Sequence, residues 1–189
     1  MNDAIAGANP ARIDRHLTPG EIALARSIFG DRIDYDNVKI HNYEKYPLGS
    51  DRTMAPDGEI YYPRRGGSYR DDFSSSSIED QAAFLHELTH ILQRGEGITV
   101  GAISHLVSGY RYELLDSGGK SPRFGDLGIE QQARIVQDYC LLKRGLGPRD
   151  RTQARYALSI YERVLEIGND GAIHAATRRI EDSSRETGH

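Results

Sequence analysis

The sequence predicts an α+β fold, mostly α, with a small β-sheet placed ahead of one long central helix. Three observations carry that prediction. Residues 78–93 and 129–142 repeat apolar side chains at helical spacing between clear start and stop signals. Two short runs before them, 38–42 and 59–62, read as strands closed by turn residues. The length of 189 residues, 38% of them hydrophobic, suits one domain with a real core. The expected organisation is a flexible N-terminal arm over 1–17, a single domain over 18–182 and a frayed tail over 183–189.

Taken in order, Thr18-Pro19-Gly20-Glu21 is a helix start: an N-cap hydroxyl, proline at the first position and a Glu to complete a capping box. Ile22, Ala25, Ile28 and Phe29 give that helix an apolar face, and Gly30 stops it. Val38-Lys39-Ile40-His41-Asn42 alternates, which puts His41 opposite Val38 and Ile40 as a surface residue. Ala55-Pro56-Asp57-Gly58 has turn chemistry, and Glu59-Ile60-Tyr61-Tyr62 follows as a strand ended by Pro63. That strand is either a structural hairpin arm or an edge to which an extended peptide could add. Ile103, Leu106 and Val107 have helical spacing, in a stretch that also carries His105, Tyr110 and Tyr112. Tyr156, Ile160, Val164 and Ile167 predict a helix over 152–167, and 170–181 a weaker last one.

Composition excludes several classes. A net charge of −4 offers no footprint for nucleic acid, and no apolar run approaches membrane-spanning length. The N-terminus lacks the basic and apolar regions of a signal peptide, so synthesis in the cytosol is expected, with any export independent of a cleavable signal. The single cysteine, Cys140, forms no internal disulfide and is expected as a buried, inert thiol.

The central helix carries the chemistry. Ser76-x-x-Glu79 and Ser77-x-x-Asp80 cap its start, and Arg94-Gly95 marks its end. Within it stands His86-Glu87-Leu88-Thr89-His90. At 100° per residue His90 lies about 40° from His86, one turn along, while Phe84, Leu85, Leu88, Ile91 and Leu92 share the opposite face. Two imidazoles so placed can take two corners of a zinc tetrahedron. Glu87, at the border of the two faces, can act as a general base on a water at the metal.

A catalytic zinc needs a third protein ligand and keeps its fourth position for water. Glu130 fits best, in the first turn of a second amphipathic helix and opposite the stripe of Ile135, Val136 and Tyr139. Asp138 and His105 are the alternatives. Tyr110 or Tyr112 could donate to the oxyanion of the reaction. The competing reading is a non-catalytic, zinc-stabilised binding or adaptor module, in which a fourth protein ligand would close the site.

Thr18-Pro-Gly-Glu-Ile-Ala-Leu-Ala-Arg26, Tyr69-Arg-Asp-Asp-Phe73, His86-Glu-Leu-Thr-His-Ile-Leu-Gln93 and Glu130-Gln-Gln-Ala-Arg-Ile-Val-Gln-Asp-Tyr139 together resemble the Vgr-related zinc metallopeptidases. These are similar to the effector domains fused to VgrG spike proteins of type VI secretion. The resemblance, over roughly residues 18–165, implies a zincin-like fold and a peptide or protein substrate. It also implies Zn²⁺ held by His86, His90 and Glu130, and a secretion-system component or an immunity protein as partner. One departure stands out: Arg134 occupies the position of the Asp in the gluzincin Glu-x-x-x-Asp pattern.

Overall fold

The computed structural model describes residues 11–46, 51–98 and 109–177. Strand β1, Asp14–His16, runs antiparallel to β2, Lys39–His41, which runs parallel to β3, Glu59–Tyr61. The sheet order is therefore β1-β2-β3, with Ile40 paired to Arg15 on one side and to Ile60 on the other. Helix α1, Pro19–Phe29, lies between the first two strands; α2, Ile78–Gly95, α3, Ile129–Lys143, and α4, Leu158–Val164, follow the third.

Local rules explain most boundaries. Thr18 Oγ1 accepts from the Glu21 N–H (3.1 Å), and Glu21 Oε2 accepts from the Thr18 N–H (2.8 Å), a complete capping box. Gly30 ends α1 at φ +58°, a region that favours glycine. Ser77 Oγ accepts from the Asp80 N–H at the start of α2, where Glu79 and Asp80 place negative charge against the helix dipole. One core joins the sheet to the helices: Ile40 and Ile60 lie inside it with Phe84, Leu88, Ile135 and Tyr139. Phe73 stacks between Tyr62 (4.7 Å) and Phe84 (5.0 Å), tying β3's end to α2. Among the described residues, no other pair of elements packs as extensively as α2 and α3.

The structure departs from the sequence reading at five places. Residues 14–16, within the stretch expected to be a loose arm, form β1. That strand is held by tertiary partners, since Arg15 makes a bidentate pair with the buried Glu21 (2.8 Å to each oxygen). His41 is buried, not a surface residue: Nδ1 meets Asp14 Oδ1 at 2.5 Å, Nε2 lies 3.3 Å from Glu59, and the ring stacks on Tyr61. Strand β3 does not offer Tyr61 as a free edge, because an antiparallel bridge to Met54 already engages its N–H and C=O. Segment 152–167 is interrupted: an Asp150-capped 3-10 turn, Arg151–Arg155, precedes extended Tyr156 and Ala157, and only then does α4 begin. The Asp150 cap, the buried Gln153 and the Tyr156 hydroxyl on Glu113 (2.7 Å) fix that turn against the helical period. Residues 170–177 are a strap rather than a weak helix. Ile173 donates to Ile28 O (2.7 Å) and bridges to Ile167, with Gly171 turning at φ +80°. His105 and the helical spacing of 103–107 lie outside the described residues.

Candidate metal centre

The apolar face of α2 must enter the core, so its opposite face is turned toward α3. That places His86 and His90 against the first turn of α3, where Glu130 projects. All three side chains are buried despite their polarity, with Glu130 only 2% exposed. His86 Nε2 stands 3.6 Å from one Glu130 oxygen and His90 Nε2 stands 3.6 Å from the other. One donor atom from each residue falls within 4.8 Å of the others, and this is the one such metal-capable group among the described residues.

Those distances fit a shared cation better than direct hydrogen bonds. A nitrogen-to-carboxylate bond closes at about 2.7–3.2 Å. Tetrahedral ligands about 2.0–2.1 Å from zinc lie roughly 3.3 Å apart. The hydrogen-bond network behind His90 points the same way. The Gln132 amide donates to Leu127 O and Thr177 O (2.9 Å each), which turns its Oε1 toward Gln93. The Gln93 amide donates to that oxygen and to Ile129 O (2.9 Å each), which turns its own Oε1 toward His90 Nδ1 at 2.8 Å. His90 must therefore donate from Nδ1, so in the neutral ring Nε2 carries a lone pair facing a carboxylate. Two acceptors facing each other need a positive charge between them. His86 Nδ1 is buried with no hydrogen-bond partner among the described residues, and its Nε2 is the nitrogen facing Glu130. Two imidazoles and one carboxylate are a donor set that suits zinc.

The electrostatics follow from burial and proximity. Burial pushes His86 down to about 4, disfavouring its cation. His90 is also penalised by burial, but Glu130, Glu87 and Gln93 outweigh this and raise it. Burial would raise Glu130 too, yet the two imidazoles hold it well below the usual carboxylate range. Burial lifts Glu87 up to about 7, against the pull of His90 and with the push of Glu130. A dication held by the triad would reverse much of that rise.

The remaining candidates separate clearly. Tyr110 is half-buried beside the cluster, with its ring centroid 6.4 Å from that of His86. Burial raises its phenol, and Glu130 and Glu87 add to this while Arg52 and Arg134 oppose it. Tyr112 is not an oxyanion donor: it is fully buried, with its hydroxyl bonded to Asp138 Oδ2 (2.7 Å) and Tyr161 (2.8 Å). Asp138 is likewise committed, accepting from Tyr112 and from the Arg149 N–H (2.7 Å), and it does not join the histidines. Gln93 and Gln132 are the residues the sequence reading missed. The signal for Gln93 was its place one turn beyond His90; nothing local marked Gln132.

A mixed α/β domain with a buried His-His-Glu group is the class that fold and site define. No protein-family model matches the chain. It is 38% identical over 152 residues to the type VI secretion system spike protein VgrG2b of Pseudomonas aeruginosa, covering 76% of this chain and 14% of that protein. It is also similar to the solved effector domain of Pseudomonas aeruginosa VgrG2b, with 33% identity and a TM-score of 0.60, covering 79% of this chain and 84% of that one. The chain belongs to the family of the VgrG2b effector domain. It matches only a small part of the spike protein's length. Among the described residues, no helix is long and apolar enough to cross a membrane.

Proposed function

We propose that this chain is a zinc-dependent metallopeptidase of zincin-like fold, acting as an effector of type VI secretion. The observation that carries the reading is the convergence of His86, His90 and Glu130 on one buried point, with Glu87 adjoining His86 on the same helix. Zn²⁺ bound there would supply a Lewis acid that polarises the scissile carbonyl and makes water acidic near neutral pH. His86 and His90 present Nε2 and Glu130 its carboxylate oxygens, while the Gln93–Gln132 amides fix the orientation of His90. Glu87 takes a proton on its carboxylate and returns it to the leaving amine. Tyr110, whose ring centroid lies 6.4 Å from that of His86, is the residue to which we assign the oxyanion. Among the described residues the group has three protein donors, where a structural zinc takes four, and this favours turnover over a closed adaptor site.

The family relation supports delivery by the secretion apparatus, with a secretion-system component as carrier; an immunity protein guarding the producing cell belongs to the same proposal. The test compares purified wild type with Glu87→Gln for zinc content and for cleavage of an unfolded protein. Equal zinc with cleavage reduced about 10²–10⁴-fold is expected. Equal cleavage by both would remove Glu87 from its role, and failure of either protein to retain zinc would remove the metal.

A further inference from the structure

The sequence departs from the gluzincin pattern at Arg134, and the structure gives that residue a different task. Arg134 lies four residues beyond Glu130 on α3, hence one turn along the same face. Its guanidinium stands 5.0 Å from the centroid of the Tyr110 ring, and that ring stands 6.4 Å from His86. Arg134 thus sits one aromatic ring away from the metal ligands. At ~3.4 Å per residue, that is roughly two or three residues of extended peptide from the centre.

Arg134 Nη1 donates to Gln137 Oε1 (2.7 Å), the one hydrogen bond it makes among the described residues. Among the described residues it pairs with no carboxylate, in a chain where acids outnumber bases by 28 to 24. A guanidinium carries five N–H donors in a fork that matches a carboxylate. Arg52 adds a second positive field at Tyr110. At Tyr110 these two cations oppose the two acids of the centre, Glu130 and Glu87.

We propose that Arg134, with Tyr110 beneath it, forms a subsite for a carboxylate of the substrate, either an acidic side chain near the scissile bond or a free C-terminus. The inference rests on the peptidase reading for its substrate class, and it narrows that class to acidic peptides. It is tested on the zinc-loaded Glu87→Gln protein, so that binding is read without turnover. The probes are an alanine pentapeptide blocked at both ends, the same peptide with a central glutamate, and the same peptide with a free C-terminal carboxylate.

Calorimetry should show one or both charged peptides binding about tenfold or more tightly than the neutral one. Adding Arg134→Gln should abolish that preference, and Arg134→Lys should keep part of it. Attraction of a carboxylate to the metal itself would survive Arg134→Gln, so the variant separates the two causes. Which charged peptide gains identifies the source of the carboxylate. Equal binding of all three peptides, or binding of none, overturns the proposal. Equal weakening of all three by Arg134→Gln also overturns it, reducing Arg134 to a brace for Tyr110. A preserved preference in a protein whose wild type cleaves nothing would instead sink the peptidase reading and leave the subsite standing.

Discussion

Two buried glutamates divide the labour of this molecule. Glu21 at the start of α1 is fully enclosed and its carboxylate accepts four hydrogen bonds, two from Arg15 and one each from the Thr18 and Phe73 backbones, all at 2.8–2.9 Å. Glu130 at the start of α3 is almost as buried, but two imidazole nitrogens stand off its two oxygens at 3.6 Å each. Both are Glu residues in the first turn of a helix, and each meets chain distant in sequence, Phe73 for Glu21 and the two histidines for Glu130. The difference is spacing: contact distance closes an ion pair, whereas 3.6 Å leaves the interval that a shared cation spans. The first arrangement builds the fold, and the second has the spacing of a group that could hold a metal.

That contrast can be broken by experiment, and the largest effect is expected at Glu21. Replacing Glu21 with Ala should cost about 3 kcal/mol by leaving Arg15 and the Phe73 N–H unmatched. The thermal midpoint should fall by roughly 6–12 °C, with zinc affinity per folded molecule unchanged. A parallel loss of zinc would show that the two regions are coupled.

Glu130→Gln should do the opposite. Zinc affinity, measured by competition with a chelator, should drop more than ~100-fold, beyond the range of an outer-shell change. Metal-free unfolding should shift by less than ~1 kcal/mol. A large loss of metal-free stability would place Glu130 with Glu21 as a fold-building residue.

Gln132→Leu sharpens the comparison, because Gln132 touches no candidate ligand. It leaves Leu127 O and Thr177 O without their donor and frees Gln93 to turn. Zinc affinity should fall about tenfold, and the ¹⁵N spectrum of metal-free protein should show His90 losing its single tautomer. An unchanged spectrum would mean that His90 is held by something other than the amide chain.

The smallest effect concerns Glu96, a carboxylate between the two extremes. Burial alone would raise it, but bonds from Thr177 and Arg32 bring it below its ordinary value. A depressed acid stabilises the fold above its unfolded pKa of ~4.3, and that contribution is lost as pH falls through the lower folded value. Metal-free Glu96→Gln should therefore unfold with a shallower acid limb below about pH 4.3. An identical limb in both proteins would show the Glu96 contacts to be neutral.

How much of this could be read beforehand varies with range. The long helix, its Ser77 cap and the shared face of His86 and His90 were legible, because caps act over three residues and helical phase over four. The Thr18–Glu21 capping box was legible for the same reason, but the second task of Glu21, on Arg15 and Phe73, was not. His41 read as a surface residue because two-residue alternation says which face a side chain takes, not what covers that face. The break at Tyr156 and the strap over 170–177 were hidden because tertiary bonds there override a local helical period.

By itself the sequence determined the local geometry: which segments coil, where they stop, and that two imidazoles and Glu87 travel together on one turn of α2. Only the tertiary structure decided that Glu130, rather than Asp138, meets those imidazoles, and that two glutamine amides set the ring behind them. The physical reason is that helical phase is dictated by neighbours within one turn. The rotation and depth at which α2 meets α3 instead arise from the summed packing of a core whose members lie far apart in the chain.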